Sequence, residues 1–148
     1  MAKRIPTVIF LMFIAGLLAG CSQQIARVRI QSEGAFEESF KHNGSPVALW
    51  TDLDIEYIVS TNLLYEIKVL KNGDLVDTLI CNPFDVSMRM MARRAVVRGV
   101  TKESYLAPMN CIVELPAGEI TLQVDFLAVG GDVRVFRADL VVNKKADQ

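Results

Sequence analysis

The clearest feature of the chain is the alternation of apolar and polar side chains in its middle. Residues 53–60 and 63–70 both place an apolar side chain at nearly every second position. A period of two directs alternate side chains to the same face of a strand, so each segment is predicted to be a half-buried β-strand. Asn72-Gly73 follow the second segment, and this pair favours the positive φ values of a tight type I′ turn. The pattern therefore predicts a β-hairpin over residues 63–80.

Strand signals also occur towards both ends of the chain. Residues 25–31 alternate valine and isoleucine with arginine, which is typical of a strand with one buried face. Closer to the C-terminus, apolar segments are separated by turn-forming residues at 116–118 and at Gly130-Gly131. These last strands are predicted to form a meander. Their predicted ranges are 111–115, 119–128 and 132–142.

Two segments allow more than one interpretation. Residues 32–46 are rich in turn formers, and either a short helical turn or an edge strand fits them. In residues 82–101, Asn82-Pro83 resembles a helix start and apolar side chains recur at helical spacing, but several valines favour a strand. We expect a short helix near residues 83–97, with a strand as the alternative.

About seven short strands at close spacing are typical of an all-β protein, here an antiparallel β-sandwich of the Ig-like or transthyretin-like kind. We expect one domain over residues 25–143, because the chain has 148 residues and shows no internal repeat. Residues 144–148 are polar and are expected to form a frayed tail.

The first twenty residues have the layout of an export signal. Lys3 and Arg4 precede an unbroken apolar run over residues 8–19. A helix needs about 20 apolar residues to span a bilayer, so this run is too short for a transmembrane helix. We therefore predict a signal peptide over residues 1–20.

The end of this signal resembles the lipobox of bacterial lipoproteins at every position: Leu18, Ala19, Gly20 and then Cys21. The resemblance implies lipidation of the Cys21 sulfur and cleavage between Gly20 and Cys21. Two or more acyl chains anchor a protein stably to a membrane. In that family an aspartate after the cysteine favours retention at the inner membrane. Ser22 stands there in this chain, which implies the periplasmic face of the outer membrane.

The predicted tether, residues 21–24, is short. Each residue reaches at most about 3.5 Å, so the domain is expected to lie close to the bilayer. Cleavage leaves 148 − 20 = 128 residues with 16 − 2 = 14 basic and 17 acidic side chains, hence a net charge of about −3. Such a charge does not suit a nucleic-acid partner, and the membrane link is expected to be chiefly covalent.

Cysteine usage fits an exported protein. With Cys21 assigned to lipid, Cys81 and Cys111 remain as an even pair, and a disulfide is the simplest use of two cysteines in an oxidising compartment. The alternative is two buried free thiols. Neither cysteine belongs to a CxxC sequence, so a redox-active dithiol is not expected.

Candidate catalytic residues are few. His42 is the single histidine and lies in a turn-like sequence, where a solvated loop residue is the simplest interpretation. Asp52, Asp54 and Glu56 fit the outer face of one strand, and no glycine turn follows them to wrap a cation. No nucleotide-binding or hydrolase motif occurs in the sequence, so we expect neither a metal site, nor a cofactor, nor an enzyme.

A basic cluster stands out in this acidic body. Four arginines lie within ten residues, and on a helix they would form two pairs sharing a face. They are a candidate patch for an anion or a protein partner, and the alternative is a solvated basic face paired with Asp77, Asp85 or Glu103. The four residues are Arg89, Arg93, Arg94 and Arg98.

The sequence favours a non-enzymatic accessory or structural lipoprotein of a cell-envelope assembly, attached to the membrane through Cys21 and bound to an envelope protein. The alternative is a module that binds a glycan or another small ligand. That alternative requires exposed aromatic side chains in a cleft. The candidates are Trp50, Tyr57, Tyr65 and Tyr105.

Overall fold

A computed structural model describes residues 23–146 and confirms an all-β sandwich. It has nine strands, two more than the sequence pattern indicates. The predicted signal peptide and Cys21 lie outside the described residues. The strands are β1 (Gln24–Val28), β2 (Gly34–His42), β3 (Val47–Tyr57), β4 (Asn62–Lys71), β5 (Asp74–Cys81), β6 (Met90–Val97), β7 (Val100–Pro108), β8 (Gly118–Val129) and β9 (Val133–Lys144).

The strands form two sheets, and all strand pairs in them are antiparallel. The first sheet has the order β1-β9-β3-β7-β6 and the second has the order β2-β8-β4-β5. The predicted C-terminal meander is wrong, because β8 belongs to the second sheet and β9 to the first. Gly130 and Gly131, with φ of 76° and 75°, make the crossing between the sheets.

The core lies between the two inner faces. Along β3, the buried side chains alternate with half-buried ones, as the period-two pattern predicts. The opposing strand β4 does the same from the second sheet. The largest fully buried side chains include Leu49, Leu53 and Ile55 of β3, and Leu63, Tyr65 and Ile67 of β4.

Tyr65 links the two sheets through its hydroxyl group. The hydroxyl donates to the carbonyl oxygen of Ala138 at 3.0 Å and lies 2.7 Å from the Thr51 hydroxyl. All three residues are buried, so these hydrogen bonds satisfy polar groups that water cannot reach. Burial also raises the pKa of Tyr65, which keeps the side chain neutral.

The best-supported local prediction is confirmed. β4 and β5 form a hairpin, and Asn72 and Gly73 at its turn have φ of 50° and 86°. The first strand is confirmed as well, with Val28 and Ile30 buried on one face. Of the two interpretations of residues 32–46, the edge strand is correct, since β2 lies at one end of the second sheet.

The predicted helix near residues 83–97 is wrong. Within residues 23–146 there is no helix, and β6 pairs with β7 instead. The turn between them, Arg98-Gly99, has φ of 52° and 77°, which suits a tight hairpin. A helix needs an apolar face to bury, but Met88 and Met91 are 57% and 75% exposed.

Residues 111–115 are also not a strand. They follow β7 as an irregular segment whose Val113 and Leu115 side chains point into the core, which produces the alternation without any strand pairing. This segment begins with the predicted disulfide. Cys81 at the end of β5 is bonded to Cys111, with their Cα atoms 5.5 Å apart. The bridge therefore ties the second sheet to the connection that leaves the first.

The end of the chain is held further than the sequence suggests. β9 extends to Lys144, whose N–H donates to the Gln23 carbonyl at 2.9 Å, and the Lys145 N–H donates to the Pro46 carbonyl at 2.9 Å. Fraying is therefore not observed at residues 143–145. Among the described residues, no helix has the length and apolarity needed to cross a membrane.

Candidate functional site: the arginine edge

The predicted basic cluster lies at one of the two edges of the first sheet, the edge formed by β6. We call residues 89–98 the arginine edge; they comprise Arg89, β6 and Arg98. β7 pairs with one side of β6, and no other strand in residues 23–146 pairs with its outer side. All eight residues of β6 are exposed. Since side chains of a strand alternate between faces, neither face of β6 is covered by the second sheet.

The strand pairing decides which arginines share a face. Arg94 is opposite Glu103 of β7, and Arg93 is opposite Ser104. Residues that are opposite each other point to the same side of a sheet, so Arg94 lies on the inner side and Arg93 on the outer side. The predicted pairing of Arg89 with Arg93 on one face is therefore wrong: Arg89 contacts the buried Glu103 on the inner side, because the register shift between Met90 and Arg93 changes the face that the following side chains take.

Arg89 is occupied by the protein itself. Its guanidinium donates to a Glu103 carboxylate oxygen at 3.1 Å and lies 4.8 Å from the centre of the Tyr105 ring. Glu103 is buried and also accepts a hydrogen bond from the Tyr57 hydroxyl at 3.0 Å. The solvated-face interpretation thus holds for Arg89, with Glu103 as its partner.

The other three arginines are available to a partner. All three are exposed, and none takes part in an ion pair within residues 23–146. Neither Asp77 nor Asp85, which the sequence offered as counter-charges, pairs with them. The structure therefore leaves three uncompensated positive charges beside the free edge, those of Arg93, Arg94 and Arg98.

A cleft of about 450 Å³ opens on the inner side of the arginine edge. Arg94 lies beside the Tyr57 hydroxyl there, and burial together with the hydrogen bond to Glu103 raises the pKa of Tyr57. The Thr61 hydroxyl is buried at the cleft wall and has no hydrogen-bond partner in the described part of the chain. The lining residues are Tyr57, Ser60, Thr61, Phe84, Arg89, Arg94 and Glu103.

This cleft has the chemistry of an anion-binding site. Its charged lining groups are two arginines and one glutamate, and Arg89 with Glu103 form a pair, so the Arg94 charge is in excess. A carboxylate placed beside Arg94 would gain a charge-assisted hydrogen bond and offer the Thr61 hydroxyl an acceptor. The cleft can therefore receive one acidic side chain or a small anion.

The aromatic residues proposed for a ligand cleft do not come together. Tyr65 and Tyr105 are buried, at 0% and 3% exposure. Tyr105 instead donates to the Pro83 carbonyl at 2.7 Å, and burial raises its pKa. Trp50 is half-buried and lies apart from the cleft in a different groove. Only Tyr57 of the four lines the cleft, together with Phe84.

His42 is not a solvated loop residue. It ends β2 and is 7% exposed, its Nε2 lies 2.9 Å from the Ser45 carbonyl oxygen, and its ring stands edge-on to Phe40. An irregular connection does follow His42 over residues 43–46, but His42 itself is the last residue of β2, and its side chain points to the buried side of that strand.

The acidic residues of β3 lie where the sequence places them, on the outer face. Two of them are held by cations: Asp52 accepts a hydrogen bond from Arg27 at 2.9 Å, and Glu56 contacts Lys102 at 2.9 Å. Arg27 also donates to Asp139 at 2.9 Å. No cluster with metal-binding composition occurs among residues 23–146.

Burial alone would lower the pKa of Arg27. The hydrogen bonds to Asp52 and Asp139 and their negative charges outweigh this effect, so the pKa of Arg27 is raised. Arg27, Asp52 and Asp139 form an ion network that links β1 to β3 and β9 on the outer face of the first sheet.

Sequence reasoning named Tyr57 as a ligand contact and Glu103 as a partner of the arginines, but it missed Thr61 and did not bring these residues together around Arg94. Tyr57, Thr61 and Glu103 come from three separate segments, and only the pairing of β6 with β7 and of β7 with β3 brings them together. One local signal was present. Arg98-Gly99 between valines is a hairpin-turn signal, and it would have placed β6 beside β7.

No protein-family model matches the chain, and no characterised protein matches it significantly.

Proposed function

We propose that this protein is a lipid-anchored lipoprotein of the bacterial periplasm that acts as a non-enzymatic accessory module of a cell-envelope assembly. In this proposal the lipid is carried by Cys21, and the arginine edge binds an extended, acidic segment of an envelope protein. One observation carries the proposal: β6 is a free sheet edge that is exposed on both faces and bears uncompensated arginines.

A free edge strand is a surface for adding another strand. Its outward N–H and C=O groups can pair with an extended peptide, and proteins usually protect such edges from unwanted pairing. β6 has some of this protection in its two arginines, Arg93 and Arg94, and the register shift near Met91, which has φ of 50°, interrupts one end. The stretch from Arg93 to Val97 is regular and available for pairing.

Charge favours an acidic partner over a second copy of the chain. If two copies of β6 paired in antiparallel fashion around their centres, Arg93 would face Arg94 of the other copy. Like charges directly opposite each other destabilise a sheet. An acidic strand would reverse the sign of this interaction, and one of its carboxylates would reach Arg94 in the cleft.

The predicted anchor supports a partner near the membrane. β1 begins at Gln24, so only Ser22 and Gln23 lie between Cys21 and the first strand, and three Cα–Cα steps join the two. Such a segment spans at most about 10 Å, which keeps the domain beside the bilayer. A partner with an acidic segment close to the membrane surface would then meet the arginine edge at a raised local concentration.

The alternative function is binding of a small anionic ligand in the cleft. The unpartnered Thr61 hydroxyl favours it, because buried polar groups are normally hydrogen-bonded. An acidic sugar would satisfy both Thr61 and Arg94. The two functions differ in a simple way: Thr61→Val should abolish binding of a small anion, whereas partner capture should survive this change because the strand pairing remains.

The anchor is tested by Cys21→Ser in the full-length protein expressed in a Gram-negative host. We expect the variant to lose lipid labelling and to leave the membrane fraction or to remain unprocessed. Cell fractionation with radiolabelled fatty acid measures both effects. Acylation equal to that of the unmodified protein would refute the anchoring part of the proposal.

The partner surface is tested by crosslinking in intact cells. The lipidated protein is compared with a variant carrying Arg93→Glu, Arg94→Glu and Arg98→Glu, which leaves the Arg89–Glu103 pair in place. A matched control carries the same charge change at three other exposed positions, Arg29, Lys41 and Lys68. We expect one crosslinked envelope protein to be lost only in the edge variant. Equal capture by both variants would contradict the proposal.

A further inference from the structure

A second groove lies next to the start of the described chain. It occupies one end of the outer face of the first sheet, has a volume of about 560 Å³ and includes Gln23 in its wall. Trp50 of β3 forms part of its floor beside Pro108 of β7, its neighbour across the strand pair. The sequence assigned no role to Trp50 beyond a candidate ligand contact.

The groove combines apolar side chains with two cations at its rim. Trp50, Leu106 and Pro108 are half-buried, and Met90 at the start of β6 is 42% exposed. Lys144 and Lys145 also line the groove and are exposed. Tryptophan with apolar neighbours and flanking lysines is the composition that favours the boundary between lipid headgroups and acyl chains.

The position of the groove fits the same boundary. Gln23 is two residues from Cys21, and two residues span at most about 7 Å. If Cys21 carries the lipid, the groove lies at the depth of the headgroups. Lys144 and Lys145 would attract an anionic headgroup, so the electrostatic interaction with such lipids favours the contact.

The charges of β3 confine the contact to one end of the sheet. Beyond Trp50, the outer face carries the ion pairs of Asp52 with Arg27 and of Glu56 with Lys102, and inserting these charged groups among the acyl chains would be unfavourable. The molecule therefore does not lie flat on this face. It stands on the groove end, with the rest of the sandwich directed away from the membrane.

We propose that the Trp50 groove rests on the lipid bilayer, with the Trp50 ring among the headgroups, and fixes the orientation of the domain. This inference depends on the proposed lipidation of Cys21. It adds a second contact to a short tether, so that β6, whose first residue Met90 lines the groove, rises from the membrane with its edge open to the periplasm.

The test uses Trp50 as a natural reporter, because it is the only tryptophan in the chain. The processed, lipidated protein is inserted into vesicles of phosphatidylethanolamine and phosphatidylglycerol. In these vesicles, a fraction of the lipid molecules carries brominated acyl chains. We expect the Trp50 emission to shift to the blue and to lose most of its intensity to bromine. Lys144→Glu with Lys145→Glu should reduce this loss while vesicle flotation is unchanged.

A matched control moves the tryptophan to the far end of the sheet through Trp50→Phe with Phe136→Trp. Phe136 is 40% exposed and lies about 16 Å further along the strand direction. We expect its emission to be unquenched. Equal quenching at both positions would overturn the proposed orientation.

The remaining outcomes separate the two proposals. If the protein floats with the vesicles but Trp50 is not quenched, the groove proposal is wrong and the anchor stands. A blue shift without quenching would mean that the protein's own acyl chain fills the groove, which also contradicts it. If the lipid-labelling test fails and the protein does not float, both the anchor and the groove proposal are wrong.

Discussion

Glu103 is the residue that organises the candidate site. It is buried in β7, yet its two carboxylate oxygens are used separately, one by Arg89 and the other by Tyr57. A buried carboxylate requires such partners, since an unpaired charge away from water is strongly unfavourable. By holding Arg89, Glu103 leaves Arg94 as the free cation of the cleft. Arg94 is therefore available because the Glu103 carboxylate accepts its hydrogen bonds from Arg89 and Tyr57 instead.

At the same scale, Tyr65→Phe should destabilise the sandwich by about 1–3 kcal/mol, because the Thr51 hydroxyl and the Ala138 carbonyl would lose a partner in a dry core. The substitution keeps the ring, so no cavity forms. Urea unfolding of the purified protein measures the effect as a lower midpoint with an unchanged dependence on urea concentration. A midpoint equal to that of the unmodified protein would show that water or another group replaces the hydroxyl.

Among the elements, those with two agreeing local signals could be predicted from the sequence. The β4–β5 hairpin combines a period-two pattern with an Asn-Gly turn, and its strands are correct to within a residue or two. β6 lacked such agreement, because apolar residues at helical spacing competed with β-branched ones. Two facts that local signals do not show decided the structure: β6 pairs with β7, and no apolar face of this segment is buried as a helix would require. Local signals also do not say which sheet a strand joins, which is why the predicted meander failed.

The candidate site was predictable only in part, for the same reason. The arginines are a feature of composition and were found without the fold. The cleft depends on Tyr57, Thr61 and Glu103, which the pairings of β6 with β7 and of β7 with β3 bring to Arg94. The disulfide was predictable because Cys81 and Cys111 are the only even pair left after Cys21, so no geometry was needed.

The disulfide should stabilise the link between β5 and the segment after β7. Closing a loop of 30 residues contributes about 3.5 kcal/mol in the chain-entropy model. We expect reducing agent to lower the urea midpoint of the oxidised protein accordingly. The variant Cys81→Ser with Cys111→Ser should show the lower midpoint with or without reductant. If reductant leaves the midpoint of the oxidised protein unchanged, the bridge does not contribute as predicted.

For the whole molecule, the two proposed contacts lie at different places and do not compete. The Trp50 groove marks the end that carries the predicted anchor, and β6 runs from that end towards the opposite one, because it follows the direction of β3. Its eight residues reach roughly 25 Å. If both proposals hold, the domain keeps an exposed sheet edge at a fixed distance from the membrane.

The measurement that tests this account most directly is site-specific photocrosslinking of the lipidated protein in intact cells. A photoreactive residue at Val96 of β6 is compared with one at Thr78 of β5, which is also an exposed residue of a sheet edge. We predict an adduct from position 96 alone, with an extended acidic segment of one envelope protein, and its loss in the Arg94→Glu variant. Equal adducts from both positions, or none from position 96, would contradict the proposed function.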